Sequence, residues 1–478
     1  MSDISCAGNN EIKSMTYTLH PHQETIIAKA RGVLARHNSV LIQSPTGSGK
    51  TVLSSFMHKG ATDRGYISWF IVHRQELLDQ VASAFSATGI NYGFIAAGYP
   101  GNMTAPVQIC SIDTLRTRIK NISTQNMPYM ATFDECHHFG AAGWRNVRAA
   151  MPQGTKIVGL SATPNRLDGK GLGDIFESIV HGPSVAWLVE NGYLSKFKIF
   201  GPASPDLSGV HTKMGEFDKI ESARVMDQAS ITGDAVAHYK RLCPGKRALV
   251  YAINIEHSKH IAEQFRAAGF TAVHLDGKTP RDERRASVRA FERGDIQVMV
   301  NVGLFEEGFD VPGVEVILDL NPTKSLSRWL QRCGRALRVA PGKEQALILD
   351  HAGNAMRHGL PDFAHEWTLD GNILTRKKKV DEITGPDLRR CMKCYFISKA
   401  HRTVCEHCGE PFELKLRQVE HVDGDLVEIT TADIAIKAKR REQGRAGTLQ
   451  ELISLGKQRG YKNPAAWAGH IFRARGGR

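Results

Sequence analysis

Leu41-Ile42-Gln43-Ser44-Pro45-Thr46-Gly47-Ser48-Gly49-Lys50-Thr51 passes from an apolar run into a loop with two glycines, and Val52 to His58 can continue as a helix. In a strand, loop and helix of this kind the glycines let backbone N–H groups approach and cradle phosphates at the helix N-terminus. Lys50 would neutralise β- and γ-phosphate oxygens, and the Thr51 hydroxyl would ligate Mg²⁺. Ser44 departs from the general pattern, which has glycine there. Ser44, Pro45, Thr46, Gly47, Ser48, Gly49, Lys50 and Thr51 thus form the expected ATP-binding loop.

Phosphoryl transfer to water needs a second metal-side carboxylate and a group that activates the water, both usually at a neighbouring strand end. Asp134-Glu135-Cys136-His137 follows the apolar run Tyr129 to Phe133 and supplies both. Asp134 is the expected Mg²⁺ ligand beside Thr51, and Glu135 the expected general base. His137 and His138, read as neighbours in a strand, would point to opposite faces and not share a metal.

Outward from these motifs, short apolar runs alternate with amphipathic stretches from about Tyr17 to Phe200: Val40 to Gln43, Ile67 to His73, Val107 to Ser111, Tyr129 to Phe133 and Ile157 to Leu160. That rhythm predicts βαβ units building a parallel sheet covered by helices. Residues 201–231 lose it and read as a connector rich in Gly, Pro, Ser and Asp. A second series follows, with strands expected at Ala248 to Ala252, Thr271 to Leu275, Gln297 to Asn301, Val314 to Leu318 and Ala346 to Asp350. The expected division is a first α/β lobe at 1–200, a second at 232–370, a cysteine module at 386–416 and a basic helical tail at 430–478. Ligands should sit at the carboxyl ends of the strands, in a cleft between the lobes.

The ordered set Thr-Gly-Ser-Gly-Lys-Thr, Asp-Glu-Cys-His and Ser161-Ala162-Thr163 resembles superfamily 2 helicases of the DExH type, nearest the branch of repair helicases and restriction-enzyme motors. The resemblance covers roughly residues 15 to 355 and implies two RecA-like lobes in tandem. By it, Gln23 in Leu19-His20-Pro21-His22-Gln23 would bond the adenine edge, and Ser161, Ala162 and Thr163 would couple the ATP site to strand movement. Arg74, Thr114 and Arg116 resemble residues that contact the nucleic-acid backbone from the first lobe. In the second lobe Gly308, Phe309 and Asp310 resemble motif V, which would reach the nucleotide. Gln331-Arg332-Cys333-Gly334-Arg335-Ala336-Leu337-Arg338 resembles motif VI: Arg335 and Arg338 would be the arginine fingers, and Gln331 would orient the attacking water or touch the γ-phosphate. The resemblance also implies 3′ to 5′ movement.

Cys391, Cys394, Cys405 and Cys408 give C-x2-C-x10-C-x2-C, two thiolate pairs able to close a structural Zn²⁺ site like a zinc ribbon. His401 and His407 are alternative ligands that the four thiols make unnecessary. The other five cysteines are scattered singly, which argues against a disulfide framework and for a reducing compartment.

The net charge is +13, and residues 371–478 carry 22 Lys and Arg against 13 Asp and Glu, including the run Arg376-Lys377-Lys378-Lys379. A polyanionic partner fits that distribution. In the tail, Trp467 and Phe472 lie among basic residues; they suit nucleic-acid contact, and equally suit burial against the second lobe. With 41% hydrophobic and 23% charged residues and no apolar run of membrane-spanning length, a membrane role is excluded, and nothing at the N-terminus reads as a secretory signal. The expected location is the cytoplasm, on the nucleoid in a prokaryotic or viral setting. No nuclease constellation stands out, so cutting would come from a partner. The expected function is an ATP-driven DNA helicase or translocase; RNA as the partner, or an ATP-switched scaffold docking proteins through the ribbon or tail, are the other readings.

Overall fold

The computed structural model describes residues 17–166, 170–202, 205–213, 215–306, 313–370, 388–412, 442–444, 446 and 448–474. Gly308, Phe309, Asp310 and the run 376–379 lie outside them. The first sheet is built from β1 (Ser39–Gln43), β2 (Ser68–Val72), β3 (Tyr92–Ile95), β4 (Val107–Ser111), β5 (Met130–Phe133), β6 (Lys156–Ser161) and β7 (Ser178–His181). Its strands are all parallel in the order β3-β4-β2-β5-β6-β1-β7. β1, β2, β4 and β5 are buried at every position, as strands covered by helices on both faces must be. The first sheet therefore follows the expected strands, with β3 and β7 added at its two edges.

The second sheet contains β8 (Lys196–Phe200), β11 (Ala248–Tyr251), β12 (Ala272–Leu275), β13 (Val298–Asn301), β14 (Val316–Asp319) and β15 (Gln345–Asp350), again all parallel, in the order β12-β13-β11-β14-β15-β8. Here the sequence boundary needs correcting. Lys196–Phe200, read as the end of the first lobe, pairs with β15 in the second sheet. Its outer residues are exposed or half-buried, so as an edge strand it lacks the apolar run that marks a central one. Residues 201–231 also hold structure of their own: β9 (Thr212–Lys213) pairs with β10 (Glu216–Phe217), and the helix Lys219–Met226 follows. The Asp218 carboxylate caps that helix, accepting from the N–H groups of Ile220 and Glu221 at 2.9 and 3.1 Å.

The cysteine module is the antiparallel hairpin β16 (Leu388–Arg390) and β17 (Ile397–Lys399) with the turns around it. It docks on the second lobe beside β8. The Gly201 N–H donates to the Tyr395 carbonyl at 2.9 Å, and the Phe200 and Phe396 rings meet edge-on at 5.5 Å. Cys391 and Cys405 are buried in the same apolar cluster as Phe200.

The tail is a separate compact unit. Within it Thr448 caps the helix Leu449–Gln458 in a reciprocal pair with Glu451, and a second helix spans Pro464–Ala474. The two helices pack on each other, with Tyr461 edge-on to Trp467 and the Arg459 guanidinium above the Trp467 ring. Among the described residues no helix is long and apolar enough to cross a membrane.

Candidate functional site

The loop after β1 opens into the helix Lys50–Thr62. Gly47 and Gly49 have φ of +87° and +81°, a region that residues with a β-carbon avoid. Ser44 is used within the loop: its Oγ lies 2.7 Å from the Ser48 Oγ, and the Ser48 hydroxyl donates to the Pro45 carbonyl at 2.7 Å. The Lys50 ammonium donates to the Ser44 and Pro45 carbonyls at 3.2 and 3.4 Å. Burial holds its pKa below the usual lysine value, with Glu135 and Asp134 opposing that fall. Gln23 reaches the loop from the helix Pro21–Leu34, where its Oε1 accepts the His20 N–H at 3.0 Å and its Nε2 donates to the Ser48 carbonyl at 3.1 Å.

β5 ends at Phe133 and delivers Asp134 and Glu135 to the same strand ends. Burial, with Glu135 adding to it and Lys50 opposing, pushes the Asp134 carboxyl up to about 7. The Asp134 Oδ1 accepts the Glu135 N–H at 3.0 Å, and Glu135 sits at φ +49°. His137 and His138 lie not in a strand but in the 3₁₀ turn Cys136–Gly140, with ring centroids 4.4 Å apart, because the chain turns back as soon as it leaves the sheet. His137 Nδ1 is 3.4 Å from Glu135 Oε2 and 3.3 Å from Ser161 Oγ. Ser161 in turn accepts the Thr163 N–H at 3.2 Å and, through its carbonyl, the Ser44 N–H at 3.0 Å. Gln43 donates to the Ala162 carbonyl at 3.1 Å. Glu135, His137 and Ser161 therefore form a continuous polar path from the carboxylate pair to the phosphate loop. Sequence reasoning missed His137 as its middle member, since only folding of the turn aims the ring.

The second lobe closes over this loop. Its helix Leu326–Ala336 carries Gln331, Arg332 and Arg335. Gly334 faces Thr46 so closely that a β-carbon there would stand 2.5 Å from the Thr46 Cβ, and one on Gly47 would stand 3.3 Å from the Arg338 side chain. Gln331 is 1% exposed, and among the described residues neither polar atom of its amide has a hydrogen-bond partner. Arg335 donates to the Glu306 carbonyl at 3.2 Å. Arg332 is held inside its own lobe by Asp319 at 3.1 Å and Glu306 at 2.7 Å, so it braces the helix instead of entering the cleft.

The expected nucleic-acid residues do not form one set. Arg74 crosses the cleft and donates to the Gly303 and Leu304 carbonyls at 3.3 and 3.2 Å. The buried Thr114 hydroxyl accepts the Ala97 N–H at 3.1 Å, and the exposed Arg116 lies 3.4 Å from Asp113. Sequence reasoning missed an ionic seam next to Arg74: Asp79 meets Arg281 at 3.0 Å and also Arg285, and Glu76 meets Arg284 at 2.5 Å. Nothing in the sequence marks these charges as partners across the two lobes.

Residues 16–166 match the family described as type III restriction enzyme, res subunit, and residues 234–340 match the helicase conserved C-terminal domain. A 51.5 kDa protein of a Lactococcus phage (isolate 7-9) is 34% identical over 381 residues, 78% of this chain and 78% of that one. The chain belongs to the superfamily 2 helicases. IRC3 of Saccharomyces cerevisiae, assigned as an ATP-dependent helicase, is 25% identical over 350 residues; these are 69% of this helicase and 51% of the yeast protein, so the match spans about half of that relative. Among solved structures, a fragment of the HsdR subunit assigned to a type I restriction enzyme of Vibrio vulnificus YJ016 superposes with a TM-score of 0.58 at 16% identity, covering 74% of this helicase and 69% of the fragment. The type ISP restriction-modification enzyme LlaBIII bound to DNA gives 0.53 at 15% identity, over 70% of this helicase and 27% of that chain. Both share with this helicase the fold of two parallel-sheet lobes.

At the module beyond the lobes, the four thiols of Cys391, Cys394, Cys405 and Cys408 all lie within 4.8 Å of one another. Cys391 pairs with Cys408, and Cys394 with Cys405, at 3.6 Å. Four convergent sulfurs fit a tetrahedral metal. His407 takes no part; its ring stacks on Phe396 at 5.7 Å.

Proposed function

We propose that this helicase is a DNA-directed motor in which ATP joins the two lobes and its hydrolysis releases them. The carrying observation is the approach of Gly334 and Arg338, from one lobe, to Thr46 and Gly47, in the phosphate loop of the other. The Ser44 to Thr51 loop binds the phosphates, with Lys50 as the cation. Mg²⁺, held by Thr51 and Asp134, would supply charge neutralisation at the β- and γ-phosphates. Glu135 takes the proton of the attacking water, and the unpartnered Gln331 amide is the group that orients it. Arg335 and Arg338 stabilise charge on the transferring group, a contribution of roughly 10³- to 10⁵-fold in other phosphoryl-transfer sites. Because they come from the second lobe, hydrolysis depends on closure.

The path Glu135–His137–Ser161 carries the state of the γ-phosphate to the β6 end, and alternating lobe closure moves the chain along a strand. Gln23 reads the base edge, and Gly308 and Asp310 belong to the same cleft by resemblance. Arg74, Thr114 and Arg116 are the proposed backbone contacts of the first lobe, with Arg74 exchanging its carbonyl partners for phosphate. Polarity is 3′ to 5′ by resemblance. The choice of DNA rests on the restriction-subunit match, on the DNA bound by the structural neighbour LlaBIII, and on the basic C-terminal region. The four cysteines hold a structural Zn²⁺, and the proposed location is the cytoplasm. ATPase turnover measured in parallel with single-stranded, duplex and forked DNA and with RNA tests the reading. Stimulation by DNA is the expected result; no stimulation by any DNA would refute it, and stimulation by RNA alone would reassign the substrate.

A further inference from the structure

The helix that carries Arg335 ends at Ala336, and its last carbonyls have no partner within the helix. Two residues outside it take them. The Lys343 ammonium donates to the carbonyls of Ala336, Arg338 and Val314, the latter two at 2.8 Å each, and so uses all three of its protons. Ser195 donates its backbone N–H to the Leu337 carbonyl at 2.7 Å and its hydroxyl to the Arg338 carbonyl at 3.1 Å. Every backbone acceptor from 336 to 338 is thereby occupied. Ser195 lies in the segment leading into β8, and Leu194 before it pairs with Arg338 in an antiparallel bridge and packs against Gly47 of the phosphate loop.

We propose that Lys343 and Ser195 are positioning residues for ATP hydrolysis, fixing the backbone of Arg338 so that its guanidinium enters the cleft at the γ-phosphate. The inference rests on the finger reading of Arg338 given above. A lysine at a helix C-terminus is an ordinary stabilising device, since its charge complements the helix dipole. Here the carbonyls it holds belong to the turn that aims the finger, and Ser195 ties the same turn to the segment that enters β8. A finger displaced by about 1 Å can cost on the order of 10²-fold in rate while leaving the nucleotide bound.

The test uses the full chain and its Lys343→Met, Ser195→Ala, Arg338→Ala and paired variants, with kcat, KM for ATP, and affinities for ADP alone and for ADP with aluminium fluoride, a transition-state mimic. Lys343→Met is expected to lower kcat by about 10- to 100-fold with KM and ADP affinity changed less than about 2-fold. Its affinity for the mimic should fall by a similar factor. Ser195→Ala, the milder change because it keeps the backbone bond to Leu337, should show the same pattern at several-fold. In the Arg338→Ala background neither change should weaken binding of the mimic further. Equal losses in both backgrounds, or full turnover of Ser195→Ala beside an impaired Arg338→Ala, would overturn the positioning role and leave the finger reading standing. Full turnover of Arg338→Ala itself would remove the finger reading and this inference with it.

Discussion

Glu135 sits in the left-handed backbone region, which costs a residue with a β-carbon about 1 kcal/mol or more and persists where the surroundings impose it. What imposes it here is the reversal from β5 into the turn that brings His137 back to Glu135 and Ser161. Glu135→Gln should therefore keep the fold and ATP binding while lowering kcat by at least about 10²-fold, measured by steady-state hydrolysis alongside nucleotide affinity. Lys50→Ala should instead raise the dissociation constant for ATP by at least about tenfold, because it removes the only ammonium in the loop. At this scale the sequence was informative where the site is contiguous: Ser44 to Thr51 and Asp134-Glu135 need only their own neighbours to be recognised. Gln331, Arg335 and Arg338 were legible only through resemblance to a family. Lys343 and Ser195 were not legible, since a lysine and a serine acquire meaning only from carbonyls that folding brings to them.

At the level of elements, the central strands were readable because they are buried on both faces and so nearly continuous in apolar residues. β3, β7 and β8 escaped because, at the sheet edges, they are only partly buried and lack a continuous apolar run. β8 matters most: it binds the cysteine hairpin on one side and continues from Ser195 on the other. Metal loss should consequently be felt beyond the hairpin. Removing zinc with a chelator, or Cys405→Ser, is expected to lower the melting temperature by several degrees and to lower kcat; unchanged melting after complete zinc removal, checked by metal analysis, would contradict a structural site. A second element-scale expectation concerns His58, buried between its helix and the sheet, with Ser68 Oγ at 2.8 Å and Thr132 Oγ1 at 3.1 Å. Burial lowers its pKa from 6.5 to about 3. The folded state binds the proton less readily than the unfolded one, so the stability His58 contributes is complete above about pH 6.5 and is lost as pH falls toward 3. By pH 4.5 the loss is about 2 to 3 kcal/mol, and urea midpoints between these pH values should fall less steeply in His58→Gln.

Across the whole molecule, the two lobes meet at the phosphate loop and at the seam of Asp79 and Glu76 with Arg281, Arg284 and Arg285. Asp79 and its two arginines are roughly half exposed, and such pairs are worth only ~0.2 to 1 kcal/mol each. The Asp79 part of the seam is thus weakly held. Asp79→Ala, or salt raised to about 0.5 M, should increase the radius of gyration measured by X-ray scattering, and a non-hydrolysable ATP analogue should reverse the increase. The cleft between the lobes was expected from the sequence, but the seam was not legible in it, because complementary charges on two separate helices carry no mark of being partners. The tandem order of the lobes was legible, because each repeats the same strand rhythm. Whether ATP turnover becomes motion is decided most directly by displacement of a third strand from a DNA triplex by the full chain. The two-lobed motor predicts displacement with ATP, none with ADP and none by Glu135→Gln. Hydrolysis stimulated by DNA, with no displacement whichever side of the triplex the motor approaches from, would contradict it and leave the cleft a switch.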